Sequence, residues 1–252
     1  MSVYNDSKYI NAQTITSYAN TNEAFLEGKV CGIVLEFPGL GGGSCFGGSV
    51  DRCVYDSPET RAFAKNGIVV AYMFPGPWSW GSKAAIRMAD AVVDAIIEKY
   101  ELPADAPVVV SGGSMGGMGS LNCARYSRHN IVAVAAACPC VDVLDRFNCN
   151  PDFPRTYISA VAGYDMPLED ALKTISPIEF AADMPRVPYF ICSDAEDDLF
   201  PEALCDHYVD VLRGYGYDVT YHRQPGIGHG GFIPEVWREM QKFMTDAILK
   251  NK

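Results

Sequence analysis

The sequence predicts an α/β protein with a mostly parallel central sheet and helices on both faces. Three observations carry this. Six short apolar runs, rich in β-branched and aromatic residues, are each bounded by Gly or Pro. Continuous runs of that kind suit strands buried on both faces, not strands with one wet face. Between them lie segments with apolar residues at three- and four-residue spacing. Strand–helix–strand alternation implies right-handed crossovers and a parallel sheet.

The elements follow in order. Residues 30–37 (VCGIVLEF) form the first run and stop at Pro38-Gly39; residues 67–74 (GIVVAYMF) form the second and stop at Pro75-Gly76. Residues 82–100 place Ile86, Ala89, Val93, Ile96 and Tyr100 on one helical stripe, which ends before Pro103. Strands over 106–112 and 130–138 flank a glycine-rich turn and the helix-like stretch MGSLNCARYS. Strands over 187–193 and 219–224 follow, with a helix over 201–216 between them and a last helix over 234–250. Residues 142–185 break the alternation. A structureless connection of that length is unusual inside a compact domain. We therefore expect a small helical cap over one end of the sheet, with PLEDALKTI as one of its helices and Pro at the first turn. The whole, 1–252, is expected to be one domain carrying this insertion.

Composition narrows the function. The net charge is −11, which opposes nucleic acid as a partner. Residues 141–210 hold 15 acidic and 4 basic residues, so that one segment carries the whole imbalance. No run approaches the length of a membrane span, and the first residues lack the basic and apolar regions of a secretory leader. A cytoplasmic protein is expected. The nine cysteines are too sparse for a disulfide scaffold. No His/Cys cluster has zinc-ligand spacing, and Cys138-Pro-Cys140 is read as a pair of buried free thiols.

The chemistry is expected at Gly112-Gly113-Ser114-Met115-Gly116. In a parallel sheet, ligands bind beyond the carboxyl ends of the strands. This GxSxG pentapeptide stands at such an end and opens onto a helix, the context a nucleophilic serine needs. Gly112 and Gly116 remove side chains that would collide with the tight turn. The Met115 amide, at a helix N-terminus, suits developing negative charge. A phosphate cradle is the competing use of such a turn, but no Lys-[Ser/Thr] follows, and the glycines are poorly spaced for GxGxxG.

A serine hydroxyl needs a base. Of four histidines, His129 lies in a polar stretch and is expected on the surface. His207 falls within a helix, and His222 within the last strand. His229 stands in PGIGHGGF, a glycine-rich loop between the last strand and the last helix, from which an imidazole can reach Ser114. An acid must then orient the imidazole. The loop DAEDDLFPE offers Asp194, Glu196, Asp197 and Asp198. A serine, then a loop acid, then a histidine is the chain order of α/β-hydrolases, not of the two other common serine triads.

With VLEFPGLGGG, SGGSMGG, VPYFICSDAEDDLFP and PGIGHGGF in this order, residues 30–250 resemble an α/β-hydrolase, and specifically its prolyl-oligopeptidase-type and acetyl-esterase-type branches. The resemblance implies the acid four residues before a proline, which is Asp197. Ser193 stands where a glycine is usual and the loop is one residue longer than the common form, so Asp194 remains the alternative. It also implies a second oxyanion donor in the loop after IVLEF, which is Leu40 by position and Gly41 as second choice. That loop reads Pro-Gly-Leu-Gly where His-Gly-Gly is frequent.

The resulting expectation is acyl transfer to water by Ser114, His229 and Asp197, with the amides of Met115 and Leu40 on the oxyanion and no cofactor or metal. Trp78, Trp80 and Gly41 are expected at the pocket, with Phe147, Phe153, Tyr157 and Tyr164 lining the cap side. The expected substrate is a small carboxylic ester. A peptide or aminoacyl amide ranks second, because 252 residues leave no room for the large extra domain with which prolyl-oligopeptidase-type enzymes select peptides. A non-catalytic receptor on the same fold ranks last, since such proteins often lack a triad member.

Overall fold

A computed structural model describes residues 6–41 and 54–252. The strands are β1 (Ala19–Thr21), β2 (Gly32–Phe37), β3 (Ile68–Met73), β4 (Val108–Gly113), β5 (Ile131–Ala137), β6 (Tyr189–Asp194) and β7 (Val219–Gln224). The helices are α1 (Asp6–Tyr9), α2 (Pro58–Lys65), α3 (Lys83–Tyr100), α4 (Met115–Tyr126), α5 (Val143–Arg146), α6 (Phe153–Val161), α7 (Leu168–Lys173), α8 (Glu202–Gly214) and α9 (Pro234–Asn251).

The strands form one sheet in the order β1-β3-β2-β4-β5-β6-β7. Only β1, at the edge, runs antiparallel to its neighbour. Every β5 residue is buried, and β2, β3 and β4 are buried over most of their length. Continuous burial follows from helices on both faces. Ile33, Leu35, Val108 and Val110 pack with residues of α3, α4 and α8 on one face. Val34, Val70, Val109 and Ala135 pack with α9 and with Phe63 of α2 on the other. Helix boundaries have local causes. The Ser82 hydroxyl accepts the Ala85 amide at the start of α3, and Glu101 closes it in a left-handed conformation (φ 51°). Ser57 and Thr60 form a reciprocal capping box at α2, with Pro58 in the first turn.

Residues 142–185 fold as α5, α6, α7 and a 3-10 segment over Pro177–Asp183. They pack against the elbow through a third apolar cluster that joins Val143, Phe153, Tyr157 and Leu172 to Trp80, Met115 and Met118. Trp80 is the centre of this cluster. Its ring lies 4.2 Å from that of Tyr157, and its indole N–H donates to the Thr156 hydroxyl at 3.0 Å. A buried tryptophan needs such a partner for its one donor. Among the described residues no helix is long and apolar enough to cross a membrane.

Candidate active site

β4 ends at the middle of the sheet, and the chain turns at once into α4. Ser114 sits at that turn with φ 60° and ψ −125°, a region that costs a non-glycine residue free energy. Its surroundings hold it there. The Ser114 amide donates to the Ala137 carbonyl on β5 at 2.9 Å. A Cβ on Gly116 would lie 2.2 Å from the Phe37 carbonyl oxygen, and one on Gly112 would lie 2.5 Å from the Gly116 backbone. The two glycines thus let α4 start directly against the end of β2, with Ser114 thrown outward. Met115 contributes the first amide of α4, among the N–H groups that a helix leaves unpaired.

The imidazole arrives from the opposite side. The loop between β7 and α9 carries His229 between Gly228 and Gly230, both at positive φ (80° and 75°). His229 Nε2 lies 2.8 Å from Ser114 Oγ, and its Nδ1 lies 2.7 Å from Asp197 Oδ2. The Asp197 side chain is fully buried. Its other oxygen, Oδ1, accepts the Leu199 and Phe200 amides at 2.9 and 2.8 Å. The Phe200 ring meets the imidazole edge-on at 5.2 Å, which fixes the plane of the ring.

Asp194 does something else. Its carboxylate accepts the amides of Ile227 and Gly228, each at 2.9 Å at the shortest, and that of Glu196 at 2.9 Å. It is buried. Burial alone would raise its carboxyl, but the bonds from Ile227, Glu196, Gly228 and Gly226 outweigh that and hold it below the ordinary aspartate range. The two acids of one loop therefore divide the work: Asp197 faces the imidazole, and Asp194 ties down the loop that carries it. Gln224 secures the same loop further along, donating to the Gly231 carbonyl and accepting the Ile233 amide. Residue types alone do not show that Asp194 is a clamp; two of its partners are backbone amides more than thirty residues away.

A cavity of about 490 Å³ opens beside Ser114 and His229. Trp80, Phe153, Leu199 and Phe200, which pack with the cap, line it together with Leu40. The Gly41 amide donates to the Pro77 carbonyl at 2.8 Å, whereas the Leu40 amide makes no such backbone bond among the described residues. Gly41 and Trp78 do not line the cavity among the described residues. Trp78 is instead an exposed ring beside the Arg155 guanidinium. Of the four aromatic residues expected on the cap side, only Phe153 reaches the cavity. Phe147 stacks on Tyr157 at 6.2 Å, and the Tyr164 hydroxyl turns away to accept the Lys83 amide. The adjacent wall contains Glu36, the single acid in the otherwise non-polar β2. That interruption is visible in VCGIVLEF.

None of the other three histidines lines the cavity. His129 departs from its expected surface position: its side chain is only 6% exposed, and Nε2 lies 3.1 Å from the Asp90 carbonyl. The polar stretch that holds it folds back onto α3. His222 stacks on Phe190 at 4.9 Å, and His207 is exposed on α8. Cys138 and Cys140 are buried free thiols. Among the described residues there is no group of side chains suited to hold a metal ion.

A parallel sheet of this order with a GxSxG elbow defines the α/β-hydrolase fold. Residues 87–250 match the model of the prolyl oligopeptidase family, Peptidase_S9. The chain belongs to that family. No curated protein sequence matches it. Among solved structures it is similar to a Mycobacterium tuberculosis puromycin-hydrolyzing peptidase, with 19% identity and a TM-score of 0.69 over 88% of this chain and 35% of that one. It is also similar to the Pyrococcus horikoshii acylaminoacyl peptidase, with 19% identity and a TM-score of 0.62 over 87% of this chain and 36% of the other. A lipase in its open form shares the fold at 15% identity and a TM-score of 0.61, over 89% and 92% of the two chains. The chain thus spans about a third of the length of the two peptidases.

Proposed function

We propose that the protein hydrolyses short aminoacyl or peptide amides through an acyl-enzyme on Ser114, and cleaves small activated esters by the same route. One observation carries this: the unbroken chain of hydrogen-bonding distances Ser114 Oγ–His229 Nε2 at 2.8 Å and His229 Nδ1–Asp197 Oδ2 at 2.7 Å. In this mechanism His229 takes the serine proton as Oγ attacks the carbonyl. Asp197 holds the imidazole in the tautomer that leaves Nε2 free to accept, and stabilises the imidazolium that forms. The amides of Met115 and Leu40 receive the oxyanion, each such donor contributing roughly 10²–10³ in turnover. His229 then protonates the leaving amine or alcohol and activates the water that releases the acyl group.

Family membership moves the amide ahead of the ester. The names of the puromycin-hydrolyzing and acylaminoacyl peptidases support an aminoacyl substrate. The cavity volume supports a short one. All seven described cysteines are free, which supports a reducing, cytoplasmic setting. The test is a panel of aminoacyl- and dipeptidyl-naphthylamides beside p-nitrophenyl acyl esters. We expect turnover of both, abolished in Ser114→Ala. Ester turnover with no amide hydrolysis across the panel would return the small ester to first place. Neither activity, with Ser114→Ala indistinguishable from the native protein, would overturn the mechanism.

A further inference from the structure

The proposed reaction leaves one carboxylate of its own cavity unused. Glu36 lies near the end of β2, level with Tyr72 on β3 and Ser111 on β4, and lines the cavity that holds Ser114 and His229. The wall around it is aromatic. The Tyr55 hydroxyl is hydrogen-bonded to the Glu36 carboxylate. The Tyr55 and Tyr72 rings lie 5.5 Å apart, and the Phe232 and Trp237 rings 4.9 Å apart, all four lining the same cavity. Among the described residues no lysine or arginine lines it.

A carboxylate in such a wall is costly unless a positive charge or several donors compensate it. Desolvation raises the Glu36 carboxyl to about 7; the Tyr55 bond opposes this and the charge of Glu59 adds to it. An incoming cation would remove that cost, and the faces of Tyr55, Tyr72 and Trp237 would attract the same cation. An anion meets only repulsion, and a neutral chain gains no charge interaction. From this juxtaposition we propose that Glu36, with Tyr55, Tyr72 and Trp237, forms a subsite for an organic ammonium group of the substrate.

The register sets its distance from the chemistry. Ser111 is level with Glu36 and Ser114 stands three residues further on, which is on the order of 10 Å at 3.3 Å per residue. The ammonium is therefore separated from the scissile carbonyl by a chain of several atoms. An α-amine, two bonds from the carbonyl, is too close.

This subsite rests on the acyl-transfer reading above, and the test separates the two. Three p-nitrophenyl esters of matched length serve as probes: 7,7-dimethyloctanoate, 6-(trimethylammonio)hexanoate and the pimelate half-ester. The readout is the ratio of kcat/KM values within one protein, so a general loss of activity cancels. At pH 8 the cationic ester is expected to exceed the neutral one on the order of tenfold, and the anionic ester to fall below it. Glu36→Gln should collapse the cationic preference. In the native protein the preference should also fade as pH drops from 8 to 5.5. The fixed charge of the ester does not titrate. The titratable groups facing Glu36 are Tyr55, Tyr72 and Glu59; burial pushes the Tyr55 hydroxyl up, away from this range, and His229 acts on all three esters alike. The native pH profile keeps the test alive if Glu36→Gln does not fold. Equal ratios in native and Glu36→Gln proteins, or no preference at pH 8, would overturn the subsite. Binding of hexyltrimethylammonium to Ser114→Ala by calorimetry separates the failures. Saturable binding lost on adding Glu36→Gln upholds the subsite even if Ser114 proves unreactive. A reactive Ser114 with no charge preference and no ammonium binding removes the subsite alone.

Discussion

The two ends of the Ser114–His229 contact are held by different physics. The serine end is held by volume. It lies at the centre of the sheet, where Gly112 and Gly116 are packed against the backbone of one another and of Phe37, with no room for a single added carbon. The histidine end is held by charge. Its loop leaves β7, the edge strand, and is secured by the Asp194 carboxylate on the amides of Ile227 and Gly228, while Asp197 takes the ring itself. Close packing is indifferent to pH and salt. A carboxylate clamp is not. The placement of Ser114 should therefore survive conditions under which that of His229 is lost.

The sharpest way to break the charged end is Asp197→Asn. The amide removes the acceptor that selects the imidazole tautomer, and kcat should fall by about 10⁴-fold with the melting temperature little changed. Steady-state kinetics beside a thermal melt check this. The packed end breaks differently. Gly116→Ala forces a methyl group against the Phe37 carbonyl, with backbone on both sides and nothing flexible to yield. We expect about 3 kcal/mol of destabilisation by urea denaturation, with activity falling as a consequence. If Gly116→Ala melts like the native protein, the packing account of the elbow is wrong.

Asp194→Asn is the intermediate case. It exchanges charge-assisted bonds to the loop amides for weaker or repulsive contacts, about 1.5–3 kcal/mol of loop anchoring. The base is then misplaced part of the time, so kcat should drop about 10- to 100-fold while KM changes little. The smallest effect is acid sensitivity. The Asp194 carboxyl is held below its ordinary range in the folded protein. Its contribution is full above the unfolded aspartate value of about 4 and is lost as pH falls through the lower folded value. Stability of the native protein to urea should fall on acidification below about pH 4, and that of Asp194→Asn should fall less over the same interval.

These two ends were unequally legible in the sequence. The elbow was legible because its cause is local: five consecutive residues at the end of an apolar run contain Ser114 and the glycines that admit its strained turn. His229 was legible because glycines flank it in one loop. The acid loop was less so. Asp194 and Asp197 are the same residue type three positions apart, and only the fold shows which faces the imidazole and which faces amides 33 and 34 residues away. Trp80 illustrates the same limit. It was expected as a pocket wall and does line the cavity, but it also packs on Phe153 and Tyr157 and bonds Thr156, all on α6 more than seventy positions further along. β1 has three residues and pairs with a strand about fifty positions away, too short a pattern to register. α2 was passed over although Ser57-Pro58-Glu59-Thr60 carries a helix-start signature.

The central claim is that His229 activates Ser114 for attack, and fluorophosphonate labelling with mapping of the modified peptide tests it most directly. The account predicts a single label on Ser114 in the native protein and a labelling rate reduced by about 10²–10⁴-fold in His229→Ala. Label on another residue, or an undiminished rate in His229→Ala, would contradict it.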